Sequence, residues 1–140
     1  MSSFSSFTES KDKLASETLH IKRRTQYRPG EINGRFRIIH FFDKETKQHV
    51  SYIPSFDISA YGKNKTTAMA MLKDSVHEYF KFIMNLNQNE MHQQLVSLGW
   101  KSDKFFKKNY SHLYVDKNGI LQNFNVAEED ITTELVEMVA

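Results

Sequence analysis

The chain has no cysteine, which closes off a disulfide scaffold and thiolate chemistry and suits a reducing cytoplasm. Long apolar runs are missing too. Nothing approaches a membrane span, and the opening MSSFSSFTESKDK has neither the basic start nor the continuous apolar stretch of a secretory signal. A cytoplasmic protein away from the membrane is expected. There is no excess of one charge: 19 basic against 17 acidic residues leave a formal net charge of +2, with 26% of residues charged. Such a balance gives no electrostatic reason to expect strong non-specific nucleic-acid binding.

The common catalytic signatures are absent as well. No GxSxG elbow occurs, and Gly62-Lys63 stands without the other glycines or the Lys-Ser/Thr ending of a phosphate-cradling loop. The histidines, His20, His40, His49, His77, His92 and His112, include no pair at the short spacing that lets two imidazoles share an ion. His77-Glu78 opens like a zinc-protease motif, but Lys81 stands where the second histidine belongs. Carboxylates are scattered, and Asp57 and Glu78 read as a turn residue and a solvated helix position. No catalytic residue, metal or cofactor is expected, and the chain reads as a non-enzyme.

What is present is a patterned α+β chain of 140 residues, the length of one domain with a single core. Residues 1–15 are rich in Ser, Lys, Glu and Asp and offer only Phe4, Phe7 and Leu14 for burial, so a flexible tail is expected there. Residues 16–140 form the domain. Residues 18–26 alternate apolar with polar, 35–42 are densely apolar, and 48–53 follow a short polar loop; these read as antiparallel strands. Pro54 ends the third, since it cannot donate to a ladder. After a short extended piece at 58–61, Gly62 turns the chain, and Asn64 or Thr66 caps a long helix reaching about Leu86. Ala68, Met69, Leu72, Val76, Tyr79, Phe80, Ile83 and Leu86 recur at steps of three and four, the stripe of a helix laid on a sheet face. Met91, Leu95 and Leu98 fit a second, short helix closed by Gly99. Residues 112–115 and 120–126 flank Asn118-Gly119, the signature of a C-terminal β-hairpin. Segment 131–139 carries a helical face (Ile131, Leu135, Met138, Val139) and strand formers (Thr132, Thr133, Val136); a strand is the reading preferred.

The run YIPSFDISAYGKN, the amphipathic helix after it and LGW at 98–100 resemble the HicB-like antitoxin family over about residues 35–101. Tyr52, Pro54, Phe56, Asp57, Tyr61, Gly62, Leu98, Gly99 and Trp100 carry the likeness. Lys63, Asn64, Thr66 and Thr67 depart from it, standing where the family has Asp-Thr and two Glu. The resemblance implies a partial RNase H-like core that masks a small toxin ribonuclease, or an orphan relative that has lost its toxin. It implies no operator binding here, because the last forty or so residues lack the pair of helices a DNA-binding unit needs.

On this reading the partner-binding residues are Tyr52, Phe56, Tyr61, Trp100, Phe105 and Phe106. Arg23, Arg24, Arg28, Arg35 and Arg37, with Lys22, form a basic patch if two neighbouring strands align them. Lys101, Lys104, Lys107 and Lys108 interleave with Phe105, Phe106 and Tyr110, a mixture that suits stacking on unpaired bases. The partner expected is another protein, such as a small basic toxin, with a second copy of the chain also admitted. The alternative is a small RNA-binding module; operator DNA and membranes are not expected.

Overall fold

Thirteen residues, Glu31–Asp43, make the strand from which the rest of the sheet is laid out. Alternation sends Phe36 and Ile38 to one face and Arg35, Arg37, Ile39 and Phe41 to the other. The structure is a computed structural model and describes residues 3–7, 16–102, 105–109, 120–121, 124 and 126–139. In chain order its elements are β1 (Ser3–Phe7), β2 (Ser16–Lys22), β3 (Glu31–Asp43), β4 (Gln48–Ile53), β5 (Ile58–Gly62), α1 (Lys65–Met84), α2 (Gln88–Ser97), β6 (Lys101–Ser102), β7 (Phe106–Asn109), β8 (Ile120–Leu121), β9 (Val126–Ala127), a 3₁₀ turn (Glu128–Asp130) and β10 (Thr132–Val139).

All described pairings are antiparallel. One edge of β3 is taken by β10 along residues 33–40, and β1 lies outside β10. The opposite edge is shared. β2 pairs with residues 31–35 and β4 with residues 39–43, so the sheet forks into a β2–β7–β6 branch and a β4–β5 branch.

The helices cover one face. Ala68, Leu72, Val76, Phe80 and Ile83 of α1 and Met91 and Leu95 of α2 are buried with Phe36, Ile38, Ile53, Phe56, Val136 and Met138. On the other face Ile39, Phe41, Val50 and Tyr52 pack with Leu121, Phe124, Val126 and Ile131. The α+β layout, the long helix on a sheet face, the short second helix and the closing strand agree with the expectation.

The caps explain where the helices begin. Asn64 accepts the Thr67 amide at 2.8 Å; of the two cap candidates it is this one, not Thr66. At α2, Asn87 accepts from Glu90 N–H at 2.8 Å while the Glu90 carboxylate takes the Asn87 amide at 3.1 Å, a capping box. Gly62 has a steric reason: a Cβ there would stand 2.6 Å from the amide nitrogen of Ala68, so the chain could not turn so tightly into α1.

Gly99 ends α2 at φ +95°, with its amide bonded to Val96 O and the Trp100 amide to Leu95 O. That double closure satisfies two end carbonyls and swings Trp100 back over Leu95 into the core. Gly99→Ala is expected to lower stability by about 1–3 kcal/mol, because an L residue is strained at that φ. Any added Cβ would also meet the Lys108 side chain at 3.3 Å. Unfolding in denaturant at wild-type midpoint would show that this turn does not hold the tryptophan in place.

Three expectations change. Residues 3–7, assigned to the tail, form β1 against β10, where backbone pairing needs no apolar payload of their own. The strand foreseen over 18–26 stops at Lys22, since Arg23 leaves the ladder to donate to Leu86 O at 3.0 Å. Residues 120–126 are not one strand: Ile120–Leu121 pairs with Val126–Ala127, with the Phe124 amide donating to Leu121 O inside the reversal. The Asn118-Gly119 turn and its first strand lie outside the described residues.

Candidate functional site

Of the six aromatic residues expected to meet a partner, three are interior. Trp100 is 1% exposed, stacks on Phe56 at 5.4 Å between centroids, and donates its indole N–H to Ser55 O at 3.2 Å. Phe56 also meets Phe36 and Phe80 edge-on. Tyr52 is buried on the far face and donates its hydroxyl to Asp57 Oδ1 at 2.9 Å. That bond helps hold the turn where Asp57 adopts φ 54°. These three are corrected from contact residues to fold residues: a short turn after β4 brings Phe56 against Trp100 in the helix-side core, and Phe124 covers Tyr52 on the opposite face. Phe106 is half-buried against the helix-side core, while Phe105 lies on the surface and stacks on His20 at 4.4 Å. Tyr61 stays exposed.

The basic patch is divided as well. Arg37 is buried and Arg35 half-buried, on the face opposite α1, with Arg35 paired in register with Glu137. Arg23 is committed to Leu86 O and Met91 Sδ. Arg24 and Arg28 remain exposed in the β2–β3 loop. Burial removes Arg37 from any partner surface because β3 is the central strand.

Where the sheet forks, Glu17 fills the gap. Its Oε2 accepts the Arg37 amide at 3.0 Å, replacing the strand neighbour that residues 36–38 of β3 lack on that edge. Burial pushes its pKa from 4.5 to about 7, while the Arg37 amide, the Ser55 hydroxyl and the charges of Lys108 and Arg37 pull the other way. Lys108 is the cross-strand neighbour of Glu17 and donates to Leu98 O. Burial lowers its own pKa, and Glu17 opposes that.

A second polar array crosses β4, β3 and β10. His40 Nε2 lies 2.7 Å from Glu134 Oε1, and His40 Nδ1 lies 2.8 Å from Ser51 Oγ. Burial holds the imidazole below its usual pKa; Glu134 opposes this and Lys65 adds to it. The neutral ring then donates from Nε2 to the carboxylate and accepts at Nδ1 from the Ser51 hydroxyl. This is the order of groups that activates a nucleophilic serine. Ser51 is only 1% exposed, however, and the array pairs polar groups that lie inside the sheet. It was missed in the sequence because its members lie far apart in the chain. The signal that could have found it is His40 itself, a lone polar residue within the apolar run IIHFF.

The sheet ends at β1, β6 and β5 among the described strands, and the β5 end carries exposed aromatics. β5 pairs with β4 alone among the described strands. Tyr61 is exposed on one face, and Phe42, 47% exposed, lies on the other with His49 edge-on at 5.3 Å. The β5 segment ISAYG carries none of the lysines or prolines that commonly blunt an edge. No group of histidine and acidic side chains suited to a metal ion occurs among the described residues. Nor is any described helix long and apolar enough to cross a membrane.

No family model, curated protein or solved structure matches this chain.

Proposed function

We propose that this chain is a non-catalytic protein-binding domain, built like a HicB-type antitoxin or an orphan relative of one, whose partner adds a strand along β5. The observation that carries the reading is that β5 has no partner beyond β4 among the described strands, with Tyr61 beside that edge. Such an edge offers backbone donors and acceptors for register, and the aromatic ring supplies an anchor. The residues of the family-like run divide accordingly: Tyr52, Phe56 and Trp100 build the support, and Tyr61 faces outward. A small toxin ribonuclease is the partner that the family likeness suggests.

The test is co-expression with the product of the neighbouring reading frame, followed by hydrogen exchange on the complex. Amides of Ile58–Gly62 are expected to slow on binding, and Tyr61→Ala to weaken the complex about tenfold. A complex that leaves β5 exchange unchanged would overturn the assignment of this edge.

A further inference from the structure

We infer that the crevice between the β2–β3 loop and the C-terminal half of α1 is a binding site for a short single-stranded RNA segment. This site is separate from the β5 edge and does not depend on the reading given above. The crevice is a cavity of about 290 Å³, floored by Ile32, Phe80 and Met84 and walled by Arg24, Lys81 and His77. An apolar floor walled by two cations and an imidazole suits a ligand that is flat and apolar in one part and anionic in another, as a nucleotide is.

The loop continues the same chemistry. Arg24, together with Tyr27 and Arg28, also lines a neighbouring cavity of about 450 Å³. Thr25 shapes this loop: its hydroxyl accepts the Tyr27 and Arg28 amides at 3.3 and 3.1 Å, and its own amide donates to Arg28 O at 3.0 Å. Arg23, held by Leu86 O, fixes the start of the loop against the helices. What is presented outward is a tyrosine ring that is 87% exposed, between two arginines. No described carboxylate is paired with Arg24 or Arg28; Lys81 has Glu78 at 3.6 Å on the open helix surface.

A bare ring between cations is poor design for solubility and good design for stacking on an unpaired base with phosphates on either side. Arg24, shared by the two cavities, is placed for the phosphate that joins two nucleotides. An acidic peptide fits less well, because a chain of carboxylates brings no flat ring to lie on Tyr27 or to fill the apolar floor of Ile32, Phe80 and Met84. Duplex DNA is disfavoured by the net charge of +2 and by a concave site that takes one base at a time. Asn85, at the rim of the first cavity, brings a carboxamide that can both donate to and accept from a ribose 2′-hydroxyl, which directs the site to RNA.

Fluorescence anisotropy with a labelled eight-nucleotide single-stranded RNA of mixed U and A tests this on the full chain. The matched DNA and an octaglutamate peptide serve as competitors. With three cations at phosphates, log affinity is expected to fall with log salt at a slope of about −2. Arg24→Gln with Arg28→Gln should flatten that slope by about 1.4. Tyr27→Ala should weaken RNA binding by roughly tenfold while leaving thermal unfolding unchanged, since the ring makes little contact with the fold. Absence of binding at low salt, or binding unaffected by Tyr27→Ala, overturns the proposal. DNA competing as well as RNA overturns the choice of RNA, and octaglutamate competing as well overturns the choice of nucleic acid.

Discussion

Trp100→Ala is expected to destabilise the domain by about 3–5 kcal/mol, enough to unfold much of the population of a domain of ordinary stability. The indole is 1% exposed and fills the space between Phe56, α2 and the sheet. Removing it leaves a cavity that the Schellman turn at Gly99 and the short turn after β4 cannot easily collapse into. Trp100→Phe separates the two contributions: it keeps most of the apolar volume and leaves Ser55 O without the indole donor. Its cost is expected near 1–2 kcal/mol. Denaturant unfolding of both variants is the measurement. A Trp100→Ala loss below about 1 kcal/mol would place the ring outside the core and restore it as a contact residue.

Glu17→Gln is expected to change the shape of the stability profile against pH. The folded pKa of about 7 lies above the ordinary value of 4.5, so the protonated carboxyl is the form the interior favours. Its contribution is complete below 4.5 and is lost as pH rises through about 7. The difference of about 2.5 units amounts to a change on the order of 3 kcal/mol in wild type relative to the variant. Gln retains an oxygen for the Arg37 amide but cannot ionise, so its profile lacks this slope. His40 acts in the opposite direction, because a pKa held below 6.5 removes stability as the solution is acidified. Both chains share that contribution, and subtraction cancels it. Parallel wild-type and variant profiles from pH 4.5 to 8 would mean that Glu17 ionises freely in the folded protein.

Local chemistry was legible where periodicity and caps coincide. The α1 stripe, Asn64, Gly62 and Gly99 could each be read from a few neighbouring residues, because a helix is decided by interactions within four positions. The dense apolar run of 35–42 and the extended pieces at 48–53 and 58–61 were legible as strands, although β3 begins earlier, at Glu31. The fork was not. Which strands share an edge of β3 depends on pairings between residues distant in the chain, and nothing in the segment around Glu17 announces a carboxylate standing in for a missing strand. The aromatic residues misled for a related reason. Exposure of Trp100 or Phe56 depends on which layer lies above it, whereas their sequence neighbourhood only says that they are large and apolar. Among the arginines, Arg24 and Arg28 keep an outward role because they lie in a loop, and Arg37 loses it because its strand is central.

The position of β10 along β3 bears on how the protein comes off the ribosome. Residues 33–40 of β3 form early in synthesis, yet their partner on that edge begins only at Thr132. Every intervening helix and strand must emerge, at about 5–20 residues per second, before His40 meets Glu134 and the edge is covered. Until then the nascent chain carries residues 33–40, with Phe36, Ile38 and Ile39 among them, on an edge that β10 has not yet covered, the kind of segment that recruits chaperones or other strands. A chain stopped before Thr132 would therefore be a sticky fragment rather than a smaller domain, and β1, whose only described neighbour is β10, would have nothing to join.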